Sequence, residues 1–225
     1  VLSLISLLVT IVVYWICRSI YTRWRWTVLN PMVVSLVVLV IFVSLTRIPY
    51  STYVSGTHVL TFMLGPATVA FAIPLYKHFH LLKKHALEIV TGLCLGSVMG
   101  IVTSVVFGRA LDLSHMVTNS LAPRSVTTPI AIQISQQIGG SPVLTAVFVI
   151  VTGLIGLILG PLSIRWFRIQ SAVAKGMLMG MGAHAIGTSR AFEFGQLEGT
   201  FSSLSMIVAA AFTVLAAPLL LPLLG

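Results

Sequence analysis

The run Ser120-Leu-Ala-Pro-Arg-Ser-Val-Thr-Thr-Pro-Ile-Ala131 places chemistry in a chain that is otherwise almost all hydrocarbon. Arg124 carries a planar fork of donors that matches a carboxylate. Ser125, Thr127 and Thr128 add hydroxyls beside it. Pro123 suits the first position of a helix, where its missing N–H would be unpaired anyway. A helix starting there would aim free N–H groups and a partial positive charge into the protein, which is how helix starts hold anions. A weaker echo, Leu64-Gly-Pro-Ala-Thr-Val-Ala70, offers Pro66 and Thr68 in the same arrangement. The bland alternative for either proline is a kink satisfied by neighbouring helices. For 123–129 that alternative is the weaker one, because an arginine at membrane depth is costly unless paired or hydrated.

A second constellation runs from Gly176 to Glu193. Gly176, Gly180 and His184 recur every four residues and share one helix face. Small residues at that spacing let helices approach closely, which sets His184 near a tight contact. A Gly187-Thr188-Ser189 break and Arg190 follow. His184 is suited to binding a solute or carrying a proton; the alternative is a histidine bonded to a neighbouring helix. Arg190 and Glu193, three apart, can simply pair on a helix surface.

The elements that must position these groups are membrane helices. Of the 225 residues, 57% are hydrophobic and 8% charged, and the mean hydropathy is +1.07. Soluble domains carry roughly 25% charged residues. Apolar stretches long enough to cross a bilayer fall at 1–20, 27–46, 57–76, 86–108, 142–161 and 201–224. Two further regions, 111–138 and 173–194, are hydrophobic but interrupted, as broken or re-entrant helices are. The fold expected is an all-α polytopic membrane protein of six to eight crossings, one transmembrane domain over 1–225.

The net charge of +9 comes mainly from short loops holding Arg18, Arg23 and Arg25, then Lys77, Lys83 and Lys84, then Arg165, Arg168 and Lys175. The positive-inside rule puts all three in the cytoplasm and the N-terminus outside. Segment 111–138 must then leave and return on one side. Pro66 and Pro123 align at an offset of 57, which also carries 86–108 onto 142 and beyond, in opposite orientation. That pattern suggests an inverted repeat with halves near 27–108 and 109–224.

Other classes are disfavoured. No basic stripe with interleaved aromatics points to nucleic acid. Cys17 and Cys94 make neither a disulfide framework nor a metal site. His78, His80 and His85 lack cysteine or carboxylate partners. No GxSxG, HExxH or P-loop is present, and with only Glu88, Asp112, Glu193 and Glu198 as acids a paired-carboxylate enzyme is not expected. The small-residue ladders Gly92, Gly96, Gly100, Ser104, Gly108 and Gly153, Gly156, Gly160 read as packing stripes. Asn30 before Pro31 reads as a helix cap.

The segments 66–76, 120–131 and 182–191, with Asn30-Pro31 and 198–203, resemble the signature segments of the LrgB/CidB family. The resemblance covers nearly the whole chain. The family includes bacterial inner-membrane proteins and the C-terminal half of the plant plastid glycolate/glycerate translocator. It implies one of two functions: secondary transport of small monocarboxylates (glycolate, glycerate, lactate, pyruvate), or holin/antiholin-like control of murein hydrolase export and lysis. It also implies a separate LrgA/CidA-type small membrane partner. The expectation is a carboxylate carrier in the bacterial inner membrane, a homo-oligomer and most simply a dimer. No cofactor is expected beyond a coupling proton or cation. Arg124, Ser125, Thr127, Thr128 and Pro123 are the first solute contacts, and Thr68, His184, Thr188 and Arg190 the second.

Overall fold

The computed structural model describes residues 2–24, 29–63, 66, 69, 70, 72–77 and 79–224. Among them are eleven helices and no strand. Four are long and apolar enough to cross a membrane: Leu4–Trp24, Ala86–Ala110, Pro142–Trp166 and Gln196–Leu223. Large apolar side chains such as Leu45, Leu87, Val143 and Leu223 are exposed, as a lipid-facing surface requires. The protein is a multi-pass helical membrane protein.

The chain divides into two compact units, residues 1–73 and 74–225. In the first, α1 (Leu2–Trp24) packs on α2 (Pro31–Thr46) and α3 (Tyr50–Phe62). Asn30 caps α2 through its side-chain oxygen, which accepts the Met32 N–H at 2.9 Å, with Pro31 in the first turn. The Thr10 and Tyr53 hydroxyls bond across α1 and α3 at 2.7 Å. The stretch 57–76 is not the single crossing expected of it. Helix α3 begins earlier, at Tyr50, and stops at Phe62. Gly65-Pro66 then follows in sequence, and proline cannot donate the bond that would extend a helix through it.

Helices α4 (Ala72–Lys77) and α5 (Phe79–Lys84) lead to α6 (Ala86–Ala110). Then come α7 (His115–Leu121), α8 (Thr128–Gln137), α9 (Pro142–Trp166), α10 (Ala172–Phe194) and α11 (Gln196–Leu224). Helices α7 and α8 span only about 10 and 15 Å at 1.5 Å per residue, well short of the roughly 30 Å hydrocarbon core. They form a re-entrant hairpin. Its descending arm follows the small-residue stripe of α6: Thr118 fills the space at Gly108, Arg124 bonds to Ser104, and Ser125 lies against Gly100. Helix α8 then climbs back, so that Asn119 donates to the Ile138 carbonyl and the Ser141 N–H donates to Ser120. Helix α9 therefore starts where α6 ended and runs the opposite way.

Helix α10 is a second hairpin. At His184 the backbone turns to φ 41°, ψ −129°, and two helical arms, 172–183 and 185–194, meet there. Gly187 contacts the Met179 carbonyl, although eight residues of straight helix would part them by about 12 Å. Lys175 and Arg190 line one cavity. Helix α11 then runs beside α6: Phe201 joins Ile89 and Leu93 in one core cluster, and Ala216 and Leu221 join Ile101 and Val105 in another.

The ends of α6 and α9 share one geometry. The N–H groups of 111, 112 and 113 bond to the carbonyls of 107, 109 and 108, and those of 167, 168 and 169 to 163, 165 and 164. Each pair is offset by 56 (111 to 167, 112 to 168, 113 to 169). Asp112 and Arg168 take φ 52° and 51°. Ser114 caps α7 and Ser171 caps α10 through their hydroxyls. A helix followed by a half-length hairpin thus occurs twice, in opposite directions.

Candidate functional site

Both hairpin tips stop at one depth. Ser125 lies against Gly100, ten residues (about 15 Å) before the end of α6. His184 lies against Gly153, and its Nε2 is 2.9 Å from the Val149 carbonyl oxygen. With an N–H at Nε2, the carbonyl accepts. Val149 and Gly153 sit seven and eleven residues (about 10 and 16 Å) into α9, counted from the same end. Val149 also packs in the core cluster that holds Val126, Ala131 and Ile134 of the first hairpin.

At the first tip the helix start differs from the sequence expectation. Helix α8 begins at Thr128, with Pro129 in its first turn, not at Pro123. A helix begun at 123 would carry Pro129 in its interior, where the ring clashes with the carbonyl four residues back. Residues 122–126 instead form turns, with the Arg124 N–H on the Leu121 carbonyl and the Val126 N–H on the Pro123 carbonyl. Pro123 is fully buried. Thr127 takes the cap position in extended conformation, and no side-chain hydrogen bond closes the helix start. The first N–H groups of α8 therefore face the tip at mid-depth, and the half-buried hydroxyls of Thr127 and Thr128 stand beside them.

Arg124 is half-buried, and its Nε donates to the Ser104 hydroxyl at 2.9 Å. All four acidic residues of the chain are described, and none pairs with Arg124: Glu88 pairs with His85 and Glu193 with Arg190. Ser125 lines a cavity with room for about one water, walled by Ser97, Gly100 and Ile101 of α6, Met181 of α10, and Ala209 and Thr213 of α11. The Ser97 hydroxyl is buried there with no hydrogen-bond partner. An unsatisfied buried hydroxyl costs about 1–3 kcal/mol.

At the second tip Thr188 donates to the His184 carbonyl and shares a 2.9 Å hydrogen bond with Ser202 of α11. The break falls at His184 itself, three residues before the Gly187-Thr188-Ser189 run expected to carry it. A histidine at φ 41° is strained, and the Val149 bond and the bare face of Gly153 hold it there. Gly176 and Gly180 do make the close approach expected of them, against Glu198–Ser202 of α11.

The structure brings Arg124, Ser125, Thr127 and Thr128 together at one tip, with His184 and Thr188 at the facing tip. Arg190 is not among them. It pairs with Glu193, stacks 5.6 Å from the Phe194 ring centroid, and lies with Arg165 and Lys175 at the far end of α9. Thr68 lies outside the described residues, as does His78. Among the described residues no group of three His, Cys, Asp or Glu side chains is placed to hold a metal ion. Sequence reasoning missed Ser97, Ser104 and Ser202. Ser104 was visible only as a rung of the packing ladder, and Ser97 only as a lone hydroxyl in an apolar run.

A polytopic helical membrane protein with two opposed re-entrant hairpins, their polar tips at one depth, is the class this architecture defines. Residues 10–223 match the LrgB-like family, and the chain belongs to that family. It is 47% identical to the uncharacterised protein YwbG of Bacillus subtilis strain 168 over 98% of both chains. It is 37% identical to YxaC of the same strain, over 93% of this chain and 91% of that one. It is 35% identical to the antiholin-like protein LrgB of Bacillus mycoides strain KBAB4, over 87% of this chain and 85% of the relative. No solved structure matches the chain.

Proposed function

We propose that this protein is a secondary transporter of small monocarboxylates of the glycolate, glycerate, lactate or pyruvate kind, working by alternating access around the two hairpin tips. One observation carries the reading. A half-buried arginine sits at mid-depth with no acidic side chain of the described residues paired to it, beside an uncapped helix start and the hydroxyls of Ser125, Thr127 and Thr128. That set of donors suits a carboxylate supplied by a solute. Opposed hairpins meeting at mid-depth are how many carriers build such a site. In this reading the chain is not an enzyme, and a proton or cation couples the cycle, with His184 the candidate carrier of a proton. It sits in the bacterial inner membrane with its N-terminus outside, as a homo-oligomer beside an LrgA/CidA-type small membrane protein.

The name of the relatives supports a second reading more directly than the first. A chain 35% identical is called antiholin-like, which favours a holin/antiholin-like regulator of murein hydrolase export and lysis. The two readings part on ligand binding. A carrier is stabilised by its solute through mass action, by about 2.7 kcal/mol at a hundred times Kd. Purified protein in detergent should show a saturable rise in Tm with pyruvate or glycolate, and Arg124→Gln should abolish it. No rise with any small carboxylate would argue for the regulator.

A further inference from the structure

Two solvent-open cavities sit at the opposite ends of the paired helices. The first, about 320 Å³, is lined by Val105, Arg109, Asp112, Leu113, His115, Thr118, Asn119 and Leu221. The second, about 270 Å³, is lined by Pro161, Ile164, Arg165, Lys175, Arg190 and Phe194. The first exceeds and the second approaches the roughly 300 Å³ at which small-molecule pockets begin. They share two positions of the repeated helix end: Val105 and Pro161, and Arg109 and Arg165, stand at the offset of 56. Each arginine therefore occupies the same place, in the last turn of a crossing helix and at the mouth of its hairpin.

Polar groups continue along α6 from the first mouth. Thr118 is 5% exposed and lines it, and its hydroxyl has no hydrogen-bond partner. One turn deeper along α6 is the Ser104–Arg124 hydrogen bond, and two turns deeper the cavity of Ser97 and Ser125. Met181 of the second hairpin closes that cavity from the other side. The mouths differ in charge: Asp112 lines the first together with Arg109, whereas Lys175 lines the second together with Arg165, and the Arg190 there is paired with Glu193.

We propose that the two mouths are the capture sites at the two ends of one path, Arg109 taking the solute carboxylate at one face and Arg165 at the other. This rests on the transport reading above. The mouth of Arg165, with Lys175 beside it and no acidic residue in its lining, holds the anion more tightly.

The test is side-resolved transport. Half-saturating concentrations of labelled pyruvate and glycolate are measured for influx and efflux in proteoliposomes sorted for one orientation. Arg109→Gln raises the value about ten-fold for solute presented to its own face, the loss of one charge-assisted contact, and leaves the opposite face within two-fold. Arg165→Gln does the reverse. Arg109→Lys and Arg165→Lys recover most of the affinity. Variants that shift both faces together, or neither face, overturn the proposal while leaving transport standing. A wild-type protein with no saturable flux in either direction overturns the transport reading, and the capture sites with it.

Discussion

Gly180→Ala and Gly182→Ala are the same chemical change two residues apart on one arm of α10, and the structure gives them different outcomes. A Cβ on Gly180 would collide with the Ser202 carbonyl oxygen and lie 2.8 and 2.9 Å from its carbonyl carbon and Cα. All three are backbone atoms, so no rotamer relieves the contact. Ser202 is itself fixed, wholly buried and bonded to Thr188. Over-packing of that kind costs about 1–3 kcal/mol. A Cβ on Gly182 would meet nothing within 4 Å. Both variants gain the same helix propensity, about 1 kcal/mol for glycine to alanine. The difference between them is therefore the collision alone, about 1–3 kcal/mol. At roughly 2–4 °C per kcal/mol for a chain of this size, Gly182→Ala should melt at or above wild type. Gly180→Ala should melt several degrees below Gly182→Ala, read by thermal unfolding in detergent. Equal melting temperatures, or a more stable Gly180→Ala, would refute the packing of α10 against α11.

Two further outcomes follow from the second tip. His184→Gly should be more stable than His184→Ala, because both lose the Val149 bond but only glycine accepts φ 41° without strain; chemical denaturation of the two variants compares them directly. Cysteines at Lys175 and Arg190, with Cys17 and Cys94 replaced, should cross-link with a short bifunctional reagent, since both residues line one cavity. A straight helix would hold them about 22 Å apart, and failure to cross-link would return α10 to a single rod.

Much of this architecture was legible in the sequence. The two interrupted regions, 111–138 and 173–194, are the two hairpins. They could be read because prolines, an arginine and hydroxyls have no use on a lipid-facing helix. The offset near 57 was legible too, although the paired units begin at α6 and α9 and not at the Pro66 segment that suggested it. What could not be read was set by tertiary contact. The place where α10 reverses depends on the Val149 carbonyl and the bare face of Gly153, both some thirty residues away in sequence. Glycine and serine at 187–189 advertised a break that packing placed at His184. Ser104 looked like any small residue in a stripe, and nothing in α6 alone says that an arginine twenty residues on will bond to it. Arg190 was drawn toward the site by its charge, yet a nearby Glu193 and the fold-back of the arm hold it at the mouth.

The central claim, that the first tip binds a carboxylate in order to move it, comes down to flux. Purified protein in liposomes is assayed for uptake of labelled pyruvate and glycolate, with release of a trapped neutral dye measured in the same vesicles. The account predicts saturable uptake without dye leakage, abolished by Arg124→Gln in a protein that still folds. Dye leakage indifferent to solute, or full uptake by Arg124→Gln, would contradict it.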